Sequence, residues 1–153
     1  MGNYLTEIKI GIAAFFTALS AWLGWQGVMA LVWVAAMAVD YITGTAAAMK
    51  EGQWSSAVAR QGLWHKGGMI AVVTVALLAD WALGMLCQHL QLGITWTSIL
   101  VPLVLAWYIM TELGSILENA VKMGAPVPAW LVKLLKTGLK AVDTAAETLA
   151  EES

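Results

Sequence analysis

Three acidic residues lie within long apolar stretches of the sequence: Asp40, Asp80 and Glu112. A carboxylate in such surroundings pairs with a cation or a hydrogen-bond donor, exchanges a proton, or faces water. The sequence contains no glycine-rich phosphate loop, no nucleophile with a base at a recognisable spacing and no metal-ligand cluster. We therefore expect no enzymatic activity, no cofactor and no metal. The role of the three acids depends on the helices that carry them.

The composition predicts a membrane protein. The chain has 153 residues, of which 60% are apolar and only 12% charged, and its mean hydropathy is +0.75. A soluble domain usually has about 25% charged residues, and a soluble chain of this length buries only about two-thirds of its surface. The 8 basic residues are outnumbered by 10 acidic ones, so no basic excess suggests a nucleic-acid partner.

The cysteine and histidine residues suggest neither a disulfide nor a metal site. Cys87 is the single cysteine, which excludes an intrachain disulfide and predicts a space-filling thiol in an apolar helix. His65 and His89 lie far apart in the sequence and suggest no metal.

Four segments are predicted to cross the bilayer, at about residues 5–23, 28–49, 67–90 and 96–120. Each is close to the roughly 20 residues that a spanning helix needs. The first two form a hairpin because residues 24–27, Gly-Trp-Gln-Gly, interrupt an uncharged stretch of 30 residues. That stretch exceeds the apolar core of a signal peptide, so we expect no cleavable signal. The polar stretch 50–66 is predicted to be a loop.

The basic residues orient this arrangement. All of them fall on one predicted side of the membrane: Lys9, Lys50, Arg60, Lys66, Lys122, Lys133, Lys136 and Lys140. The turns on the opposite side, 24–27 and 91–95, contain none. Because positive charge marks the cytoplasmic side, both termini of this multi-pass arrangement are predicted to lie in the cytoplasm; the family resemblance given below implies that the membrane is the cytoplasmic membrane of a bacterium.

The composition changes after residue 123, which divides the chain into a transmembrane domain at 1–123 and a tail at 124–153. In the tail, the charged residues Lys133, Lys136, Lys140, Asp143 and Glu147 recur at steps of three and four. This spacing predicts an amphipathic cytoplasmic helix that is too polar to span. Its lysines could rest on anionic headgroups, or the helix could pack against a second copy or a neighbouring chain.

Small and polar residues share faces on several helices. The predicted faces comprise Ala13, Thr17, Ser20 and Gly24 on the first helix, Ala36, Asp40, Thr43 and Ala47 on the second, and Tyr108, Glu112, Ser115 and Asn119 on the fourth. Gly44 and Ala48 add a further pair of small residues four apart on the second helix. Such faces allow helices to approach closely in lipid, and spacing alone leaves contacts within and between chains equally open. The acids, including Asp80, could hold the bundle together, paired with Lys66 or Arg60, or could line water in an assembly.

Pro102 lies inside the fourth predicted helix. It either kinks the outer part of that helix, or the helix begins late with Thr97 or Ser98 as its cap.

Two blocks of sequence resemble the signatures of a phage holin family, which also contains holins associated with toxin secretion. The first block is Asp40-Tyr-Ile-Thr-Gly44, followed by Lys50-Glu-Gly52, Ser55-Ser56, Gly62-Leu63 and Lys66. The second is Glu112 and Ser115-Ile-Leu-Glu-Asn119, followed by Gly124-Ala-Pro-Val-Pro128 and Leu131. Order and spacing match from about residue 38 to 135. The first helix matches weakly, and the tail ends in acidic residues where many holins end in basic ones.

The resemblance implies that copies of the protein accumulate in the cytoplasmic membrane, associate with one another and open lesions. A cell-wall hydrolase or a large toxin then leaves the cell. We hypothesise that small-residue faces drive this self-association, and that Asp40 and the polar stripe of the fourth helix turn toward water in the lesion.

Two other functions fit the same residues. A small ion channel or proton-coupled transporter would use the acids as ion sites, and it would pass small solutes but no folded protein. An antiholin would only restrain another holin, and its co-expression would delay lysis.

Overall fold

The computed structural model describes residues 2–91, 93 and 95–151. The side chains of Ala13 and Ser20, and part of the predicted turn at 91–95, lie outside what it describes. The described chain is all helical: α1 covers Gly2–Lys50, α2 Ser56–His89, α3 Leu100–Lys122 and α4 Ala129–Glu151. The predicted all-α fold is confirmed.

Three helices in the described part of the chain are long and apolar enough to cross a membrane: Gly24–Lys50, Ser56–His89 and Leu100–Lys122. They contain most of the second, third and fourth predicted spans. The first predicted span, 5–23, lies on the N-terminal part of α1, where every described side chain from residue 6 to 21 is exposed. Its crossing of the membrane stays a prediction.

α1 is interrupted at Gly24, whose backbone angles are φ 71° and ψ 169°. Residues with a side chain rarely adopt this conformation, so the glycine explains why the chain breaks here. The predicted interruption at 24–27 is therefore correct in position. Residues 25–27 are nevertheless helical rather than a turn, since a single glycine is enough to redirect the chain.

The predicted loop at 50–66 is mostly wrong, because α2 begins at Ser56. The side-chain oxygen of Ser55 accepts a hydrogen bond of 3.2 Å from the backbone N–H of Val58 and so caps the new helix. Charged residues mark where a helix leaves lipid, but they do not end it. The helix therefore continues about 15 Å beyond Lys66.

α3 begins at Leu100, four residues later than the predicted start at 96. Pro102 consequently lies in the first turn, where its missing N–H leaves no hydrogen bond unmade. The late-start alternative is thus confirmed. The expected cap from Thr97 or Ser98 is replaced by a side chain of another helix, described below.

α3 is the central helix of the bundle and contacts α1, α2 and α4, whereas α1 and α2 touch each other only slightly. The buried core consists of Trp33, Met37, Met69, Ala76, Val101 and Leu105. Trp33 stacks on Tyr108 of α3 with ring centroids 5.9 Å apart. The aromatic pair joins α1 to α3 near the middle of both helices.

α4 is the predicted amphipathic helix, and it folds back along α3. Gly138 faces Met110, and Trp107 Nε1 donates a hydrogen bond of 2.8 Å to Asp143 Oδ1. Lys133, Lys136 and Lys140 are exposed, and Lys136 also lines the groove between the two helices. The sequence leaves two uses of α4 open: contact of its lysines with headgroups, or packing of the helix against a second copy or a neighbouring chain. In the structure the helix packs on α3 of the same chain.

Candidate functional site

Lys66 joins the two acids of α1 and α3. Its Nζ donates hydrogen bonds to Asp40 Oδ2 at 2.9 Å and to Glu112 Oε2 at 2.6 Å. The side chains of Lys66, Asp40 and Glu112 are 12%, 17% and 4% exposed. We call these three residues the Lys66 cluster. Of the two cations suggested by the sequence, Lys66 pairs with the acids, whereas Arg60 is exposed.

Register along three helices brings the Lys66 cluster together. Asp40 lies ten residues before Lys50 at the end of α1, and Glu112 lies ten residues before the end of α3. Lys66 lies ten residues after the start of α2. At a rise of 1.5 Å per residue, each side chain is about 15 Å from the predicted cytoplasmic end of its helix. The cluster therefore forms one charged layer across the bundle.

Neutral polar groups extend this layer. Asn119 Nδ2 donates to Asp40 Oδ1 at 3.1 Å and to Thr43 Oγ1 at 3.3 Å. A Cβ on Gly44 would lie 3.4 Å from the same amide nitrogen, so the glycine lets α3 approach α1 closely. The predicted polar faces of these two helices therefore meet inside one chain.

One cation shared by two carboxylates gives the Lys66 cluster a formal excess of one negative charge. Buried charges are expensive to desolvate and are tolerated when hydrogen-bonded partners surround them. A cavity of about 190 Å³ between α1 and the start of α2 reaches Asp40 and Lys66 and has His65 and Trp54 in its lining. This cavity lies on the predicted cytoplasmic side of the cluster.

Asp80 belongs to a second site, at the start of α3. Its Oδ1 and Oδ2 accept hydrogen bonds of 2.9–3.2 Å from the backbone N–H groups of Ile99, Leu100 and Val101. They also accept one of 2.6 Å from the Ser98 hydroxyl and one of 3.2 Å from Trp96 Nε1. The carboxylate is thus the N-terminal cap of a neighbouring helix, where the helix dipole favours negative charge. We call this the Asp80 cap.

The remaining predicted residues lie elsewhere. Tyr108 stacks on Trp33, and Ser115 lines a groove of about 720 Å³ between α3 and α4. Ala48 is half-buried on α1. No group of three or more potential metal ligands is found among the described residues.

Sequence reasoning did not identify the partners of Asp80 or the stacking partner of Trp33. Trp33 is 4% exposed, and its Nε1 has no hydrogen-bond partner in the described part of the chain. Helical spacing could not reveal either feature because both depend on which helices pack together. Tryptophans often form belts at the two membrane interfaces. Trp33 lies too deep in the second predicted span for such a belt, and this depth was the only signal that the sequence offered.

Fold and site together define a class: a multi-pass, all-helical membrane protein whose spans are tied by buried charges. The chain matches the bacteriophage holin family over residues 17–140 and belongs to that family. The resemblance inferred from the sequence is thereby confirmed. Members of this family are non-enzymatic membrane proteins.

Similar proteins occur in several bacteria. An uncharacterized 14.9 kDa protein of Clostridium perfringens is 30% identical over 136 residues, which cover 89% of this chain and 96% of that protein. An uncharacterized protein of Halalkalibacterium halodurans is 31% identical, with 81% and 87% covered. One of Listeria innocua is 31% identical, with 84% of each chain covered. No solved structure matches the chain.

Proposed function

We propose that this protein is a holin of a bacterial cytoplasmic membrane. Copies of it associate laterally and open lesions through which a cell-wall hydrolase or a large toxin leaves the cytoplasm. Membership of the holin family is the observation that carries the proposal. The three apolar helices, with large hydrophobic side chains exposed along them, support it because such surfaces suit lipid or further copies.

The Lys66 cluster supports a stored, inactive copy as the starting state. Within one chain, Asp40 and Glu112 are paired with Lys66, so a single copy presents neither acid to lipid. In the lesion, we propose that Asp40 and the polar stripe of α3 (Tyr108, Glu112, Ser115, Asn119) exchange these partners for water. Copies of the protein then associate through their exposed small and apolar faces. They also use faces that become exposed when Asp40 and Glu112 leave Lys66.

The membrane potential provides a trigger for this exchange. Moving one charge across 100 mV changes the free energy by about 2.3 kcal/mol. A cluster with an excess negative charge inside the membrane is sensitive to that field, whereas a neutral one is not. Depolarisation therefore favours a different position of the cluster and, we propose, the open assembly.

The acids lie too far apart to form the single central ion site of a channel or transporter. Asp80 lies 14 residues beyond Lys66 on α2, which is about 21 Å along the helix. Its oxygens are also taken up by five donors of the Asp80 cap.

Induced expression in a bacterium tests the proposal. Membrane potential and escape of a folded cytoplasmic reporter enzyme are recorded together, with membrane levels of the protein checked by immunoblot. The expected result is a delay followed by abrupt depolarisation and reporter release. Gradual depolarisation with the reporter retained would favour a small channel or transporter. Delay of a second holin's lysis, with no effect alone, would identify an antiholin.

A further inference from the structure

The contact between α3 and α4 extends far along α3. A Cβ on Gly138 would lie 3.3 Å from Met110 Sδ, and five residues further along α4, Asp143 accepts the hydrogen bond from Trp107. The two helices are therefore antiparallel. Trp107 is 15 residues before Lys122, the end of α3. α4 thus accompanies α3 for about 22 Å from the connecting loop.

α3 fixes the depth of this contact within the bilayer. Non-helical backbone precedes it at 95–99 and follows it at 123–128, and lipid does not tolerate such backbone. The 23 residues between them span about 34 Å, close to the thickness of the hydrocarbon core. The part of α4 that packs on α3 therefore lies within the bilayer thickness when α3 spans it.

The outer face of α4 is charged at this depth. We call its exposed residues Lys133, Lys136, Lys140 and Glu147 the α4 charged face, which excludes Asp143 because that carboxylate is turned toward Trp107 of α3. α4 is not among the described helices that are apolar enough to cross a membrane. Charged side chains at bilayer depth face water or protein rather than lipid, and no other described helix packs against α4. The docked position of α4 therefore requires water beside it.

We infer that the α4 charged face borders the water-filled lumen of the assembled lesion. α4 stays docked on α3 through its apolar face, and neighbouring copies enclose the water. This inference rests on the proposed holin function and adds α4 to the parts of α1 and α3 that face water in the lesion.

A disulfide that holds α4 on α3 tests the inference in the full-length protein. Met110→Cys and Gly138→Cys are combined with Cys87→Ala, so that the two introduced thiols are the only ones. The protein is reconstituted into vesicles of anionic and zwitterionic lipid that contain a folded reporter enzyme. We expect the oxidised protein to release the reporter as fully as the reduced protein does.

A second pair of variants, also in the oxidised protein, reports on the water-facing side. Lys136→Leu with Lys140→Leu makes the α4 charged face apolar, and we expect reporter release to fall severalfold. The control is Lys122→Leu, which changes an exposed lysine at the end of α3, and we expect release to be unchanged. Circular dichroism confirms that each variant remains helical.

Each contrary result has a distinct meaning. Release by the reduced protein but not by the oxidised one would show that α4 must leave α3, which overturns the inference and leaves the holin function intact. Equal release with and without the two leucines would also overturn it, because the face would then not border the lumen. Retention of the reporter in both redox states would contradict the proposed function itself.

Discussion

The two buried acidic sites of this protein are stabilised in different ways. The Asp80 cap surrounds one carboxylate with five neutral donors, three of them backbone N–H groups at the start of α3. The Lys66 cluster instead places two carboxylates on one ammonium group. In the first site, the backbone dipoles at the start of α3 stabilise the carboxylate. In the second site, two carboxylates share one ammonium group, so one negative charge has no positive partner.

This difference assigns the two sites different roles. The Asp80 cap holds the first turn of α3 in place through five hydrogen bonds. The Lys66 cluster ties three helices together, has a formal excess of one negative charge and adjoins a cavity on the predicted cytoplasmic side. We therefore expect the cap to determine stability and the cluster to determine both stability and the timing of lesion opening.

Lys66→Met is expected to have the largest effect. It leaves Asp40 and Glu112 buried without a cation, and breaking a buried ion pair in this way typically costs about 3–5 kcal/mol. The free energy of unfolding in detergent micelles measures the loss. Lys50→Met is the matched control, because Lys50 is exposed at the helix end and donates to the Met123 carbonyl.

Removing the whole Lys66 cluster sharpens this prediction. A triple variant, Lys66→Met with Asp40→Asn and Glu112→Gln, contains no buried charge at this level and should regain most of the lost stability. If Lys66→Met and Lys50→Met are equally stable, the ion pairs do not hold the bundle.

Asp80→Asn is expected to have the next largest effect. The amide keeps one acceptor oxygen but turns an NH₂ group toward donors, so several N–H groups at the start of α3 lose their partner. A lost buried hydrogen bond costs about 1–3 kcal/mol. Hydrogen exchange of the Ile99, Leu100 and Val101 amides should accelerate. Glu147→Gln, an exposed change on α4, is the control; equal exchange in both variants would remove Asp80 as the cap.

Asp40→Asn should change timing more than stability. Lys66 and Glu112 then form a neutral pair, so the cluster loses the charge that couples to the membrane potential. We expect the onset of lesion opening in expressing cells to shift by many minutes at equal protein levels. Glu118→Gln neutralises an exposed acid on α3 and serves as the control. Unchanged onset with Asp40→Asn would exclude Asp40 from the trigger.

Gly44→Ala should have the smallest effect. The added Cβ would lie 3.4 Å from Asn119 Nδ2, an ordinary contact, so the free energy of unfolding should change by less than about 1 kcal/mol. Gly114→Ala, which adds a Cβ with nothing within 4 Å, is the control. Loss of lesion formation by Gly44→Ala alone, with unchanged stability, would show that this face is also used between copies.

Much of the architecture follows from local sequence properties. Apolar length predicted the helices, a glycine predicted the break at residue 24, and three- and four-residue steps predicted the amphipathic α4. Errors fell at helix boundaries. The predicted start of α2 is too late because charged residues do not mark the boundary of a helix. The earlier of the two predicted starts of α3 is wrong because the cap of α3 lies on another helix.

The sequence by itself determined that the protein is a helical membrane protein of the holin family, and which buried acids needed an explanation. Hydrophobicity, helical periodicity and motif spacing are properties of neighbouring residues, so they can be read along the chain. The tertiary structure alone decided that Lys66 joins Asp40 and Glu112, that Asp80 caps α3 and that α4 folds back on α3. Each of these contacts depends on the register between packed helices, which no local pattern encodes.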